Sequence, residues 1–118
     1  MNPYGVPEID VMRVAEMKDA GEPFILLDVR EPMELQRANL GDTVLLAPLS
    51  RLAREQEAAL PSELNENKEQ KIVVFCHHGM RSAQVTAWLQ QNGWTNVFNM
   101  SGGIDAYARQ VDISIGVY

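Results

Sequence analysis

Lys71-Ile72-Val73-Val74-Phe75-Cys76-His77-His78-Gly79-Met80-Arg81-Ser82-Ala83 is the stretch on which the reading of the fold turns. Its first part is β-branched and aromatic with no polar break, the composition of a strand buried on both faces, as in parallel sheets. Cys76 follows that strand directly. A short loop then leads into a segment, 82–92, in which Ala83, Ala87 and Trp88 recur at helical spacing and Gly93 supplies a stop. A strand feeding a loop and a helix is half of a βαβ unit.

The same alternation extends outward. Upstream, Asp10 is placed to cap a helix over 11–20 that Gly21 ends, and an apolar run over 24–29 reads as a buried strand. Glu31-Pro32 opens a short helix, since proline is pre-set for a first turn. A strand over 43–46 follows, then a helix over 51–60 with Ser50 as its cap and Pro61 as its end. The polar segment 62–71 reads as an exposed helix end or loop. Downstream, 95–98 is a last strand, and Ser101-Gly102-Gly103 turns into a helix over 104–110. The pattern predicts an α/β domain whose central, mainly parallel sheet is flanked by helices on both faces. A single domain is expected over 1–118, with about 5–115 as its folded core.

Apolar residues make up 46% of the 118 and charged residues 22%, which supports a packed core and argues against disorder. The formal charge is −6 and no run of Lys or Arg forms a phosphate-tracking face, so nucleic acid is not an expected partner. No apolar run approaches the roughly 20 residues that span a bilayer, and the first residues lack a basic start followed by an apolar block. Neither a membrane nor a secretory route is expected. One cysteine permits no internal disulfide and no Cys-x-x-Cys pair, and a cytoplasmic location suits such a free thiol.

The cysteine's position is what makes it chemically interesting. At the carboxyl edge of an open α/β sheet, loop amides and the first amides of a helix lack partners and converge, forming a site for anions. Such a site favours the Cys76 thiolate, and would hold a persulfide on the same sulfur as an anion. Gly79 allows the tight turn, Arg81 offers a planar cationic fork to an oxyanion, and Ser82 offers a cap or a hydroxyl to the bound sulfur. His77, His78 and Met80 complete the loop. His77 and His78 are the only histidines, fewer than the three or four ligands of a zinc site, so no metal is expected; they shape the loop mouth and, when protonated, add charge near the sulfur. Asp28, Arg30 and Glu31, at a strand end, read as an ion-pair network supporting the site.

These residues carry a family resemblance. Cys76-His77-His78-Gly79-Met80-Arg81-Ser82 resembles the Cys-x-x-Gly-x-Arg-Ser loop of single-domain rhodaneses. Ile25-Leu26-Leu27-Asp28-Val29-Arg30-Glu31-Pro32, with Glu34 at a matching position, resembles the family's Asp-Val-Arg-Glu strand end. Asn96-Val97-Phe98-Asn99-Met100-Ser101-Gly102-Gly103-Ile104 is similar to its Asn-Val-x-x-Leu-x-Gly-Gly-Ile segment. Leu40-Gly41-Asp42-Thr43 stands where many members have His-Ile-Pro-Gly, and Tyr107 where a tryptophan is common. The resemblance implies a sulfurtransferase without a cofactor: Cys76 takes sulfane sulfur from a small anionic donor such as thiosulfate and passes it to cyanide, a thiol or a sulfur carrier. Phosphatases and arsenate reductases of this fold have a loop one residue longer, so that reading is less favoured; a binding or sulfur-relay module with little turnover is the main alternative.

Overall fold

Along the central strand, alternate side chains enter two separate hydrophobic cores. The structure, a computed structural model, describes residues 2–118. Its elements in chain order are β1 (Glu8–Ile9), α1 (Val11–Asp19), β2 (Ile25–Asp28), β3 (Leu45–Leu46), α2 (Leu49–Glu55), β4 (Ile72–Phe75), α3 (Met80–Gln91), β5 (Val97–Met100) and α4 (Gly103–Gln110), with short 3-10 turns between several of them. The five strands form one parallel sheet in the order β1-β5-β4-β2-β3. Ile72 and Val74 face a core built with Leu27 and with Leu52, Val85 and Leu89 of α2 and α3. Val73 and Phe75 face the other, with Val11, Val14 and Met17 of α1 and Ile104 and Tyr107 of α4. Each fully buried aliphatic or aromatic side chain contributes about 1.5–3 kcal/mol, and an uninterrupted apolar strand draws on both faces at once.

The expected α/β architecture is present, and the differences from expectation are local. β1 was not expected: two residues suffice to pair Glu8 with Asn99 and Ile9 with Met100, too short a run to show periodicity. α1 begins as expected, with Asp10 accepting from the Met12 amide at 2.7 Å. The expected helix over 51–60 starts earlier and breaks at Gln56, whose φ of 54° ends the α-helical turn. Ser50 does not cap it; its hydroxyl donates to Glu31 at 2.6 Å. Likewise α3 begins at Met80 behind Gly79, so Ser82 lies inside the helix and not at its cap. Tyr107 and Leu40, at positions that depart from the family pattern, are buried in the core. Among the described residues no helix is long and apolar enough to cross a membrane.

The closest backbone approach brings α4 against the turn after β4. Gly103, at φ 65°, carries its α-carbon so near that turn that a Cβ would lie 2.5 Å from the Cys76 carbonyl oxygen. Gly21 has a similar φ of 68° but open space around it. Gly103→Ala is expected to cost about 3 kcal/mol or more, from left-handed strain plus overlap, and Gly21→Ala about 1 kcal/mol from strain alone. Denaturant unfolding of the two variants measures the difference.

Candidate functional site at the end of the central strand

Cys76 leaves β4 with its side chain 1% exposed, and backbone amides point at its sulfur. The Gly79 amide donates to Sγ at 3.1 Å and the Ser82 amide at 3.4 Å. The loop is anchored on its far side, where the carbonyls of Cys76 and His77 accept from the Ile104 and Asp105 amides of α4 at 2.9 and 3.1 Å. Gly79 adopts φ 105°, a left-handed turn that delivers the chain into α3, whose first amides have no partners within the helix. Partial positive charge from these dipoles is therefore focused on one sulfur.

Ser82 and Asn99 lie beneath the same sulfur. Ser82 Oγ is 3.3 Å from Sγ and 2.5 Å from Asn99 Oδ1, and both residues are buried. The Asn99 amide nitrogen donates to the Gly79 carbonyl and to Glu8, each at 3.1 Å. Asn99 was not singled out from the sequence. The signal was present as one amide side chain within the buried run Val97–Met100, since a buried polar group implies a partner.

Arg81 does not turn its fork toward the sulfur. Nη1 and Nη2 donate to the two carboxylate oxygens of Glu34 at 2.7 and 2.9 Å. Glu34 is held at a pKa of about 2 by this bond, helped against its burial by the Glu31 amide and the Tyr118 hydroxyl. Tyr118 donates to Glu34 at 2.9 Å and accepts from Arg30 at 3.0 Å. Arg30 is fully buried and pairs with Asp28 at 2.8 Å, also bonding through Nε at 3.0 Å. Asp28 and Arg30 thus form the ion pair expected of them, whereas Glu31 lies apart from it and binds Ser50. Tyr118 lies 88 residues from Arg30 in sequence, and no local pattern announces it.

His77 stacks on Tyr118, with ring centres 3.7 Å apart, and on His78 at 3.8 Å. Burial, with His78 beside it, lowers the His77 pKa, which disfavours its protonated form. Met80 is exposed at the rim. Donor atoms of His77, His78 and Asp105 lie within 4.8 Å of one another. The two imidazoles are tilted by 34°, and His78 Nδ1 lies 3.9 Å from Asp105 Oδ2.

The comparison with known proteins agrees with this geometry. The family model described as Rhodanese-like domain matches residues 10–110. A relative named Sulfurtransferase, from Allochromatium vinosum, is 32% identical over 105 residues, covering 88% of this chain and 90% of that protein. Rhodanese-like/PpiC domain-containing protein 12, chloroplastic, from Arabidopsis thaliana is 41% identical over 93 residues; the match covers 79% of this chain but only 30% of the plant protein. Among solved structures, a rhodanese-related protein from Thermoplasma volcanium superimposes with a TM-score of 0.71 at 30% identity, covering 89% of this chain and 93% of its own. From the cysteine loop, the parallel sheet and these matches together, the chain belongs to the rhodanese-like domain family.

Proposed function

We propose that the protein is a sulfurtransferase that carries sulfane sulfur as a persulfide on Cys76. The observation that carries this reading is the pair of backbone amides, from Gly79 and Ser82, aimed at Sγ from the start of α3. Neutral dipoles fixed before the reaction stabilise an anion without reorganising, and both the thiolate and the terminal sulfur of a persulfide are anions. With thiosulfate as donor, the Cys76 thiolate attacks the outer sulfur. An S–S bond forms to Cys76, the bond to the sulfonate sulfur breaks, and sulfite leaves with the electron pair. Cyanide, or a thiolate on a small molecule or carrier protein, then attacks the terminal sulfur. Thiocyanate or a new persulfide departs, and the Cys76 thiolate is restored.

The Glu34–Arg81 clamp supports a positioning role for Arg81. With its two terminal nitrogens spent on Glu34, it ties the helix start to the segment after β2 and keeps the loop amides in register. The donor's anionic end is then met chiefly by amides and the helix dipole, which suits a small sulfur donor better than a phosphate ester.

Two measurements test the reading. Exposure of the reduced protein to thiosulfate is expected to add one sulfur atom by intact mass, and cyanide to remove it with release of thiocyanate. Cys76→Ser is expected to show neither event, and an aryl phosphate to remain unhydrolysed. Persistence of transfer in Cys76→Ser would overturn the proposal. For the clamp, Glu34 has a folded pKa of about 2 against an ordinary 4.5, so its stabilising contribution is present above pH 4.5 and lost as pH falls toward 2. Glu34→Gln is expected to lower stability at neutral pH by on the order of 2 kcal/mol, and to flatten the acid dependence across that window, read from denaturant unfolding at several pH values.

A further inference from the structure

The contacts of Ser82 and Asn99 fix where one proton lies. Asn99 Nδ2 faces two groups that only accept, the Gly79 carbonyl and the Glu8 carboxylate. The side-chain amide is therefore oriented, and Oδ1 is the atom turned to Ser82. Two oxygens 2.5 Å apart require a proton between them, and Asn99 Oδ1 has none to give, so the Ser82 hydroxyl donates to Asn99. A hydroxyl has a single proton. What Ser82 Oγ turns toward Cys76 Sγ, 3.3 Å away, is a lone pair.

We propose that Asn99 is a positioning residue for the cysteine: by claiming the Ser82 proton it makes Ser82 an acceptor for the Cys76 S–H and holds the resting sulfur as a thiol, against the amides that favour the thiolate. The arrangement protects an idle nucleophile. A thiol bonded to Ser82 resists alkylation and oxidation, since the thiolate is the reactive form. Departure of the thiol proton leaves a lone pair facing an anion, a conflict relieved when the hydroxyl turns from Asn99 to the sulfur. The charged and titratable groups around the cysteine are, among the described residues, Arg81 of α3 with its Glu34, His77 and His78 of the loop, Tyr118 stacked on His77, Asp105 of α4, Glu8 of β1 behind Asn99, and the Asp28–Arg30 pair beside Phe75. The variants below leave all of these side chains in place.

The test is the pH dependence of Cys76 alkylation by iodoacetamide, in the full chain and without any sulfur donor. Asn99→Ala, and the volume-keeping Asn99→Leu as a second variant against misfolding, free the Ser82 hydroxyl to donate to the thiolate. Each is expected to move the midpoint about one unit to lower pH and to speed alkylation severalfold at neutral pH. In a Ser82→Ala background the same Asn99 substitutions are expected to have no effect, because there is no hydroxyl to release. A midpoint that stays or rises in the Asn99 variants overturns the proposal, as does an equal downward shift with and without the Ser82 hydroxyl. The inference rests on Cys76 as the reactive sulfur. Alkylation consumes no sulfur donor, so failure of persulfide transfer with this pattern intact counts against the proposed function alone.

Discussion

The arrangement depends on which way the peptide groups of one loop face. Each peptide carries a donor and an acceptor on opposite sides, and neither can be buried unpaired without cost. In the turn after β4 the acceptors of Cys76 and His77 are taken by the first-turn amides of α4. On the inner side the sulfur accepts from amides of other peptide groups, Gly79 in the left-handed turn and Ser82 in the first turn of α3. Gly103 lets α4 approach the turn within a distance no side chain tolerates, and Gly79 packs against the same glycine pair, 3.3 Å from the Gly102 nitrogen if it bore a Cβ. The two glycine motifs, some two dozen residues apart in sequence, are two sides of one contact.

Charge is handled differently from dipole. The chain has formal charge −6, and the two arginines nearest the loop both spend themselves on carboxylates, Arg30 on Asp28 and Arg81 on Glu34. Removing one member of a fully buried pair strands the other, so Asp28–Arg30 constrains the geometry more securely than it adds net stability. Tyr118 links the two pairs through a single hydroxyl, accepting from Arg30 and donating to Glu34. The charged groups thus fix the positions of β2, the segment after it and α3, while the dipoles aimed at the sulfur come from neutral amides.

This division explains what was legible in the sequence. The parallel sheet was, because strands buried on two faces must be apolar throughout, and 72–75 has no alternative reading. The position of Cys76 was legible because a lone cysteine between such a strand and a Gly-x-Arg-Ser helix start falls at the carboxyl edge of the sheet. Partners distant in sequence were not. Arg81 as a cation gives no hint of its bond to Glu34, 47 residues away, which depends on the packing of the segment after β2. β1 was invisible because two residues show no period, and the break at Gln56 because nothing in residue type announces a positive φ there. Ser50 was read as a helix cap, the local default for serine, and Ser82 as a cap or a hydroxyl beside the sulfur; distant acceptors, Glu31 and Asn99, meet the two hydroxyls.

Asn99 shows how the unexpected β1 bears on the chemistry. Without Glu8 on that edge strand the Asn99 side-chain nitrogen would retain only the Gly79 carbonyl, and the amide would be held less firmly in the orientation that presents Oδ1 to Ser82. A two-residue strand contributes little burial, yet its carboxylate fixes which end of an amide faces the serine beside the sulfur. The hydrogen-bond chain from Glu8 through Asn99 and Ser82 to Cys76 crosses β1, β5 and α3, and every link in it is set by donor and acceptor count alone. The sulfur is consequently poised between two opposed influences, backbone donors on one side and an acceptor on the other. A small rotation of one hydroxyl is enough to reverse the second of them.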